Sequence, residues 1–97
     1  MLPFVPTVGM GWDWRPWHTS RADLDPSLTD VLWKLHPTDF QRLLQRTKSM
    51  MDQLPEESLG RRLLMLDNWN EWGEGHHLAP HAQHGFGYLR AVREVFT

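Results

Sequence analysis

Leu63-Leu64-Met65-Leu66 runs, through Asp67-Asn68, into Trp69-Asn70-Glu71-Trp72-Gly73-Glu74-Gly75, and this stretch decides how the chain is organised. A short apolar run bounded by turn residues reads as a buried strand, here Leu63 to Asn68. Two carboxylates, Glu71 and Glu74, follow just past its end among tryptophans and glycines. Glycoside hydrolysis commonly pairs one carboxylic acid, which protonates the leaving oxygen, with one carboxylate acting as base or nucleophile. A regular strand would send residues three apart to opposite faces, but Gly73 and Gly75 permit a turn that brings both carboxylates into one pocket. The plain alternative is a pair of solvated loop glutamates. The flanking tryptophans and the strand leading in favour the catalytic reading.

Working outward, the 97 residues suffice for one small domain with a modest core. The chain has no cysteine, which excludes disulfides and thiolate metal sites. A formal net charge of −2 makes no electrostatic case for nucleic acid or an anionic membrane. No apolar run approaches the roughly 18 residues of a membrane span. No basic stretch followed by a long apolar run opens the chain, so no signal peptide is expected at Met1. Six tryptophans are too many large rings for a core of this size, so some are expected to line a surface or cleft.

The prolines at 3 and 6 confine the first strand to about Phe4 to Gly9, beginning near Pro6. Trp12-Asp13-Trp14-Arg15-Pro16-Trp17 follows as a loop, and residues 18 to 36 read as a long loop with one helical turn near 28–34. Thr38 to Leu54 is the clearest helix: Phe40, Leu43, Leu44, Met51 and Leu54 recur at helical spacing, with Thr47 on the same stripe. Its start is open between Pro37 in the first turn and a Thr38/Gln41 capping box, and Pro55 ends it. Arg42, Arg46 and Lys48 form its solvated face. Residues 55–62 read as a polar connection, Asn70 to Gly85 as an irregular loop, and Phe86 to Phe96 as a closing helix with Leu89, Val92, Val95 and Phe96 on one side.

Two consecutive βα units imply parallel strands with helices packed outside. Two parallel strands cannot bury themselves, because parallel sheets are covered on both faces, and a whole (β/α)8 barrel needs about 250 residues. The fold expected is therefore α/β: residues 1–97 as the C-terminal βα units of a (β/α)8 TIM barrel, or the product of a truncated gene, with Met1 not the native start. The 97 residues alone are expected to fold poorly or aggregate, and to need an N-terminal barrel portion. The unusual residues lie in the loops after the strands, which in a barrel is the active-site face.

Tryptophan rings stack on apolar sugar faces while Asp and Arg bond the hydroxyls, as in other pockets with a few placed polar groups. Trp12, Asp13 and Arg15 are the candidates, against the alternative of an aromatic plug on the barrel rim. The histidines 76, 77, 81 and 84 could in principle bind metal, but there is no His-Glu-x-x-His helix and a zinc site needs three or four converging ligands. No metal is expected. His76 and His77, next to Glu74, are expected to line the pocket, and His81 and His84 to be solvated.

These residues resemble a known family. The segment Trp69–Gly75, followed by Leu78-Ala79-Pro80 and Gly85-Phe86-Gly87-Tyr88-Leu89, looks like the C-terminal signature of the glycoside hydrolase family 99-like proteins, a grouping that includes the WbsX-type proteins of polysaccharide gene clusters, often labelled glycosyltransferases. Gly11-Trp12-Asp13 with Arg15-Pro16 resembles the family's Gly-Trp-Asp loop, and Pro37-Thr38-Asp39-Phe40 its Pro-x-x-Phe helix start. The resemblance covers nearly the whole chain in order. It implies a (β/α)8 barrel and retaining, endo-mannosidase-like hydrolysis through a 1,2-anhydro sugar, with Glu71 as base on the 2-hydroxyl, Glu74 as acid/base at the glycosidic oxygen, and Asn70 and Trp72 beside the substrate. It implies no metal or organic cofactor and an oligosaccharide or polysaccharide as substrate, and leaves the compartment open between bacterial cytoplasm and periplasm. Ala79 departs from the family's Glu before Pro80, so the resemblance does not extend to mannose specificity. His76 and His77 depart from its usual polar pair. A glycosyltransferase or polysaccharide-assembly role, and a non-catalytic carbohydrate-binding remnant, are the alternatives.

Overall fold

Val8 lies beside Leu66, and Thr7 beside Met65, in two parallel strands, β1 (Thr7–Val8) and β4 (Met65–Leu66). The computed structural model describes residues 4–13 and 33–97. The strand pair is extended at both ends by Met65 N–H donating to Pro6 O (2.9 Å) and Asp67 N–H to Val8 O (2.9 Å). Pro6 thus contributes only its carbonyl, the one backbone group a proline can offer a ladder.

Between these strands run β2 (Gly11–Trp12), β3 (Trp33–Lys34), α1 (Pro37–Asp52) and a single-turn helix α2 (Leu59–Arg62); after them come β5 (Asn70–Glu71), β6 (His76–His77) and α3 (Gly87–Phe96). Trp33 and Lys34, expected in a helical turn, are instead extended and pair antiparallel with Gly11 and Trp12. That pairing needs glycine at 11: a Cβ there would sit 2.6 Å from Trp33 O. The rest of that expected turn, and the loop residues Trp14, Arg15 and Trp17, lie outside the described residues.

Helix α1 begins at Pro37. His36, extended as a residue before proline must be, caps it by accepting from Thr38 N–H through Nδ1 (3.2 Å). The cap is thus His36 rather than Thr38. The helix stops at Asp52, two residues short of Leu54, because Pro55 disfavours helical geometry at the residue before it. The released carbonyls of Asp52 and Leu54 accept from the Arg61 guanidinium at 2.5 and 2.7 Å. Phe40, Leu44, Thr47 and Met51 form the buried stripe, and Thr47 turns its hydroxyl onto Leu43 O (2.8 Å).

Val8, Met10, Phe40, Leu44, Leu78, Tyr88 and Ala91 make the core, with Leu35, Leu43, Val92 and Val95 packed around it. Tyr88 and Ala91, not the expected Leu89 and Val92, are the deepest residues of α3. The Tyr88 ring meets Phe40 edge-on at 5.4 Å and its hydroxyl donates to Leu35 O (2.6 Å). Two further readings change. Residues 55–62 hold α2, and the expected irregular loop from Asn70 contains the β5–β6 hairpin.

Candidate active site

The hairpin places the two glutamates differently. Asn70 pairs with His77 and Glu71 with His76 in the antiparallel ladder. Glu71 then caps the tight turn Trp72–Glu74, its Oε1 accepting from Gly73 N–H (3.2 Å). Gly75 closes that turn with φ +71°, and a Cβ there would lie 2.7 Å from Asp13 Cβ. Close approach and left-handed backbone together call for glycine. Asp13 N–H donates to Glu74 O (2.7 Å), so the segment after β2 is tied to the glutamate turn.

His76 is the centre of the arrangement. It is buried, with Nδ1 2.5 Å from Asp67 Oδ2 and Nε2 2.8 Å from Glu74 Oε2. Asn68 Nδ2 donates to the other Asp67 oxygen (2.8 Å). Asn68 itself has φ +41°, a left-handed conformation that Asn tolerates better than most residues; it turns the chain out of β4. Burial alone would lower the His76 pKa, but the hydrogen bonds to Glu74 and Asp67 and their charges outweigh it and hold the pKa above the ordinary histidine value. A ring nitrogen facing a carboxylate on each side is the arrangement of an imidazolium. The Trp12 ring covers it at 5.4 Å.

His77 behaves oppositely. It is only 5% exposed, and Lys34 Nζ donates to its Nε2 (2.8 Å). Burial first, and then the Lys34 charge, lower its pKa to about 4, so it is neutral with its proton on Nδ1. That nitrogen is buried and makes no hydrogen bond among the described residues. Burial likewise lowers the Lys34 pKa, against the charge of Asp13. Trp72 lies over the His77 ring at 4.5 Å and His81 meets it edge-on at 4.5 Å. His81 and His84, expected to be solvated, are half-buried against Tyr88, His81 stacked at 5.6 Å and 22°. They serve packing.

Of the expected site residues, Trp12, Asp13, Glu74 and His76 are brought together, with Glu71 opposite His76 in the ladder and Trp72 over His77. Asn70 is exposed. Arg15 lies outside the described residues. Asp67, Asn68 and Lys34 went unnoticed in the sequence; for Asp67 and Asn68 the signal was there, polar residues directly at a strand end. Among the described residues no three His, Asp or Glu side chains converge to hold a metal ion, and no helix is long and apolar enough to cross a membrane. A groove of about 600 Å³ on the outer face of α1, lined by Arg42, Gln45, Arg46, Ser49, Met50 and Gln53, carries none of these groups.

The family model described as Glycosyltransferase WbsX matches residues 2–92. The chain belongs to the WbsX glycosyltransferase family. The match takes in the parallel strands, α1, the glutamate hairpin and most of α3. Proteins named "Uncharacterized protein WxcX", from two strains of Xanthomonas campestris pv. campestris, are each 30% identical over 92 residues. That alignment covers 95% of this chain and 12% of each relative, so this WbsX-family chain spans about an eighth of their length. No solved structure matches. The family is carbohydrate-related, which agrees with the sugar chemistry read from the glutamates.

Proposed function

We propose that this segment supplies the acid/base carboxylates of an enzyme that cleaves glycosidic bonds of an oligosaccharide or polysaccharide, on a (β/α)8 barrel. The observation that carries the reading is the Glu74–His76–Asp67 cluster, set beside Glu71 and flanked by the exposed rings of Trp12 and Trp72. Aromatic faces next to paired carboxylates suit a sugar at a reacting bond. The loops after β1–β2 and after β4 meet through Asp13 and Glu74, and β1 and β4 are parallel. Ligands of parallel α/β sheets bind beyond the carboxyl ends of the strands. In the hydrolytic mechanism Glu71 takes the proton of the sugar 2-hydroxyl and Glu74 protonates the leaving oxygen.

A second reading is glycosyl transfer, favoured by the name of the family matched over residues 2–92. The same carboxylates would serve, with a hydroxyl acceptor in place of water. The test is the natural full-length protein with Glu71→Gln and Glu74→Gln, assayed for reducing-end release from oligosaccharides and for nucleotide-sugar consumption. Each substitution should lower turnover by about 10²-fold or more, the usual contribution of a general acid or base. Near-wild-type turnover by both variants would remove the assignment; nucleotide-sugar consumption without hydrolysis would select transfer.

A further inference from the structure

The His76 imidazole bridges two carboxylates that are seven residues apart and belong to different elements. Asp67 follows the last residue of β4, and Glu74 ends the turn between β5 and β6. We propose that Asp67 is a positioning residue that holds His76 as a proton store for Glu74, so that the acid of the site is the Asp67–His76–Glu74 relay rather than Glu74 alone. This rests on the carbohydrate acid/base reading above and deepens it.

The problem it answers is protonation. His76 Nε2 is hydrogen-bonded to Glu74 Oε2 at 2.8 Å, and His76 Nδ1 is anchored on Asp67 at 2.5 Å. Asn68 fixes the far Asp67 oxygen, so Asp67 cannot rotate away without losing a second bond. The charged and titratable groups around the ring are Asp67 after β4, Glu74 in the turn, Glu71 opposite it in β5, His77 next to it in β6, and Asp13 after β2; Lys34 of β3 is engaged by His77. Acidic groups therefore predominate, and they favour the imidazolium.

The step balances. The proton passes from His76 Nε2 to the Glu74 carboxylate, turning an imidazolium–carboxylate pair into two neutral groups, while Nδ1–H stays on Asp67. Glu74 then gives the proton to the glycosidic oxygen as that bond breaks and its electron pair goes to the leaving oxygen. The water or hydroxyl that attacks the sugar returns a proton to the relay. No charge is created in the buried ring at any stage, which keeps the desolvation cost low.

The experiment is ¹⁵N-histidine NMR titration of the natural full-length protein and of Asp67→Asn and Asp67→Glu, beside their pH–rate profiles. At pH 7 both His76 ring nitrogens should carry protons. In Asp67→Asn the His76 titration should fall by about one pH unit, the usual effect of removing a close opposite charge. The alkaline limb of kcat should move down with it and KM should change little; Asp67→Glu should restore part of both. A neutral His76 at pH 7, or a titration and alkaline limb indifferent to Asp67 while Glu74→Gln is inactive, would overturn the relay and leave the carboxylate reading standing. An active Glu74→Gln would instead overturn the carboxylate reading itself.

Discussion

Lys34 Nζ donates a 2.8 Å hydrogen bond to His77 Nε2, joining β3 to β6 across 43 residues of chain. The bond requires a neutral imidazole, since a protonated ring has no lone pair to accept it. With a folded pKa of about 4 against an ordinary 6.5, His77 contributes stability that is fully present above about pH 6.5 and is lost as pH falls through 4. The full difference corresponds to about 3 kcal/mol. His84, also lowered by burial, adds to the loss. His76 has the opposite sign: its raised pKa gives stability present below about pH 6.5 and lost as pH rises through its folded value. The two slopes fall in different windows. Thermal melting between pH 7.5 and 4 should show Tm dropping below 6.5, and Lys34→Met should shrink that drop, because one of the causes of the lowered His77 pKa is then gone.

Gly75 and Gly85 both have positive φ, +71° and +55°, but only Gly75 is crowded. Alanine at 85 meets open space, so its cost is the left-handed backbone alone, about 1 kcal/mol. Alanine at 75 adds a Cβ at 2.7 Å from Asp13 Cβ and 3.0 Å from Asp13 N. The turn must shift, and the Asp13–Glu74 backbone bond with it. Gly75→Ala should therefore cost about 2–3 kcal/mol by urea midpoint and should depress turnover, whereas Gly85→Ala should leave turnover unchanged.

What was legible in the sequence tracks how far apart the deciding residues are. Helix α1 could be read because Phe40, Leu44, Thr47 and Met51 repeat within a single element. The parallel β1–β4 pairing followed from the element order. The hairpin was hidden because its strands are two residues each, below any periodicity, and because the Gly and His content of residues 70–85 resembles a loop. Its turn depends on Gly75 fitting against Asp13, a contact 62 positions away that no local pattern records. Lys34 gave no sign of its role for the same reason. The glutamates could be singled out because chemistry, not geometry, marked them.

Tyr88 combines a buried ring with a polar tip that has one partner, Leu35 O at 2.6 Å. Tyr88→Phe keeps the edge-on contact with Phe40 and the stack on His81. It deletes the hydroxyl and leaves the Leu35 carbonyl without that partner, which should cost about 1–2 kcal/mol. Phe40→Ala removes the ring on the other side of the same contact and leaves a cavity, so it should cost about 3–5 kcal/mol. Denaturant unfolding of the two variants should rank them in that order; equal costs would mean the hydroxyl bond is worth as much as the core ring.

Glu71 has a structural duty that the catalytic test must be separated from. Its Oε1 accepts from Gly73 N–H and caps the turn that carries Glu74. A side-chain amide oxygen accepts the same bond, so Glu71→Gln removes the base while keeping the cap, and its stability should stay within about 0.5 kcal/mol of wild type. Glu71→Ala removes both, and should lose about 1 kcal/mol as other capping residues do when truncated. If Glu71 is the base, the two variants should be equally inactive despite their different stabilities. If it acts only by shaping the turn, Glu71→Gln should retain turnover and Glu71→Ala should lose it. Melting curves and single-turnover rates on the same preparations separate these outcomes.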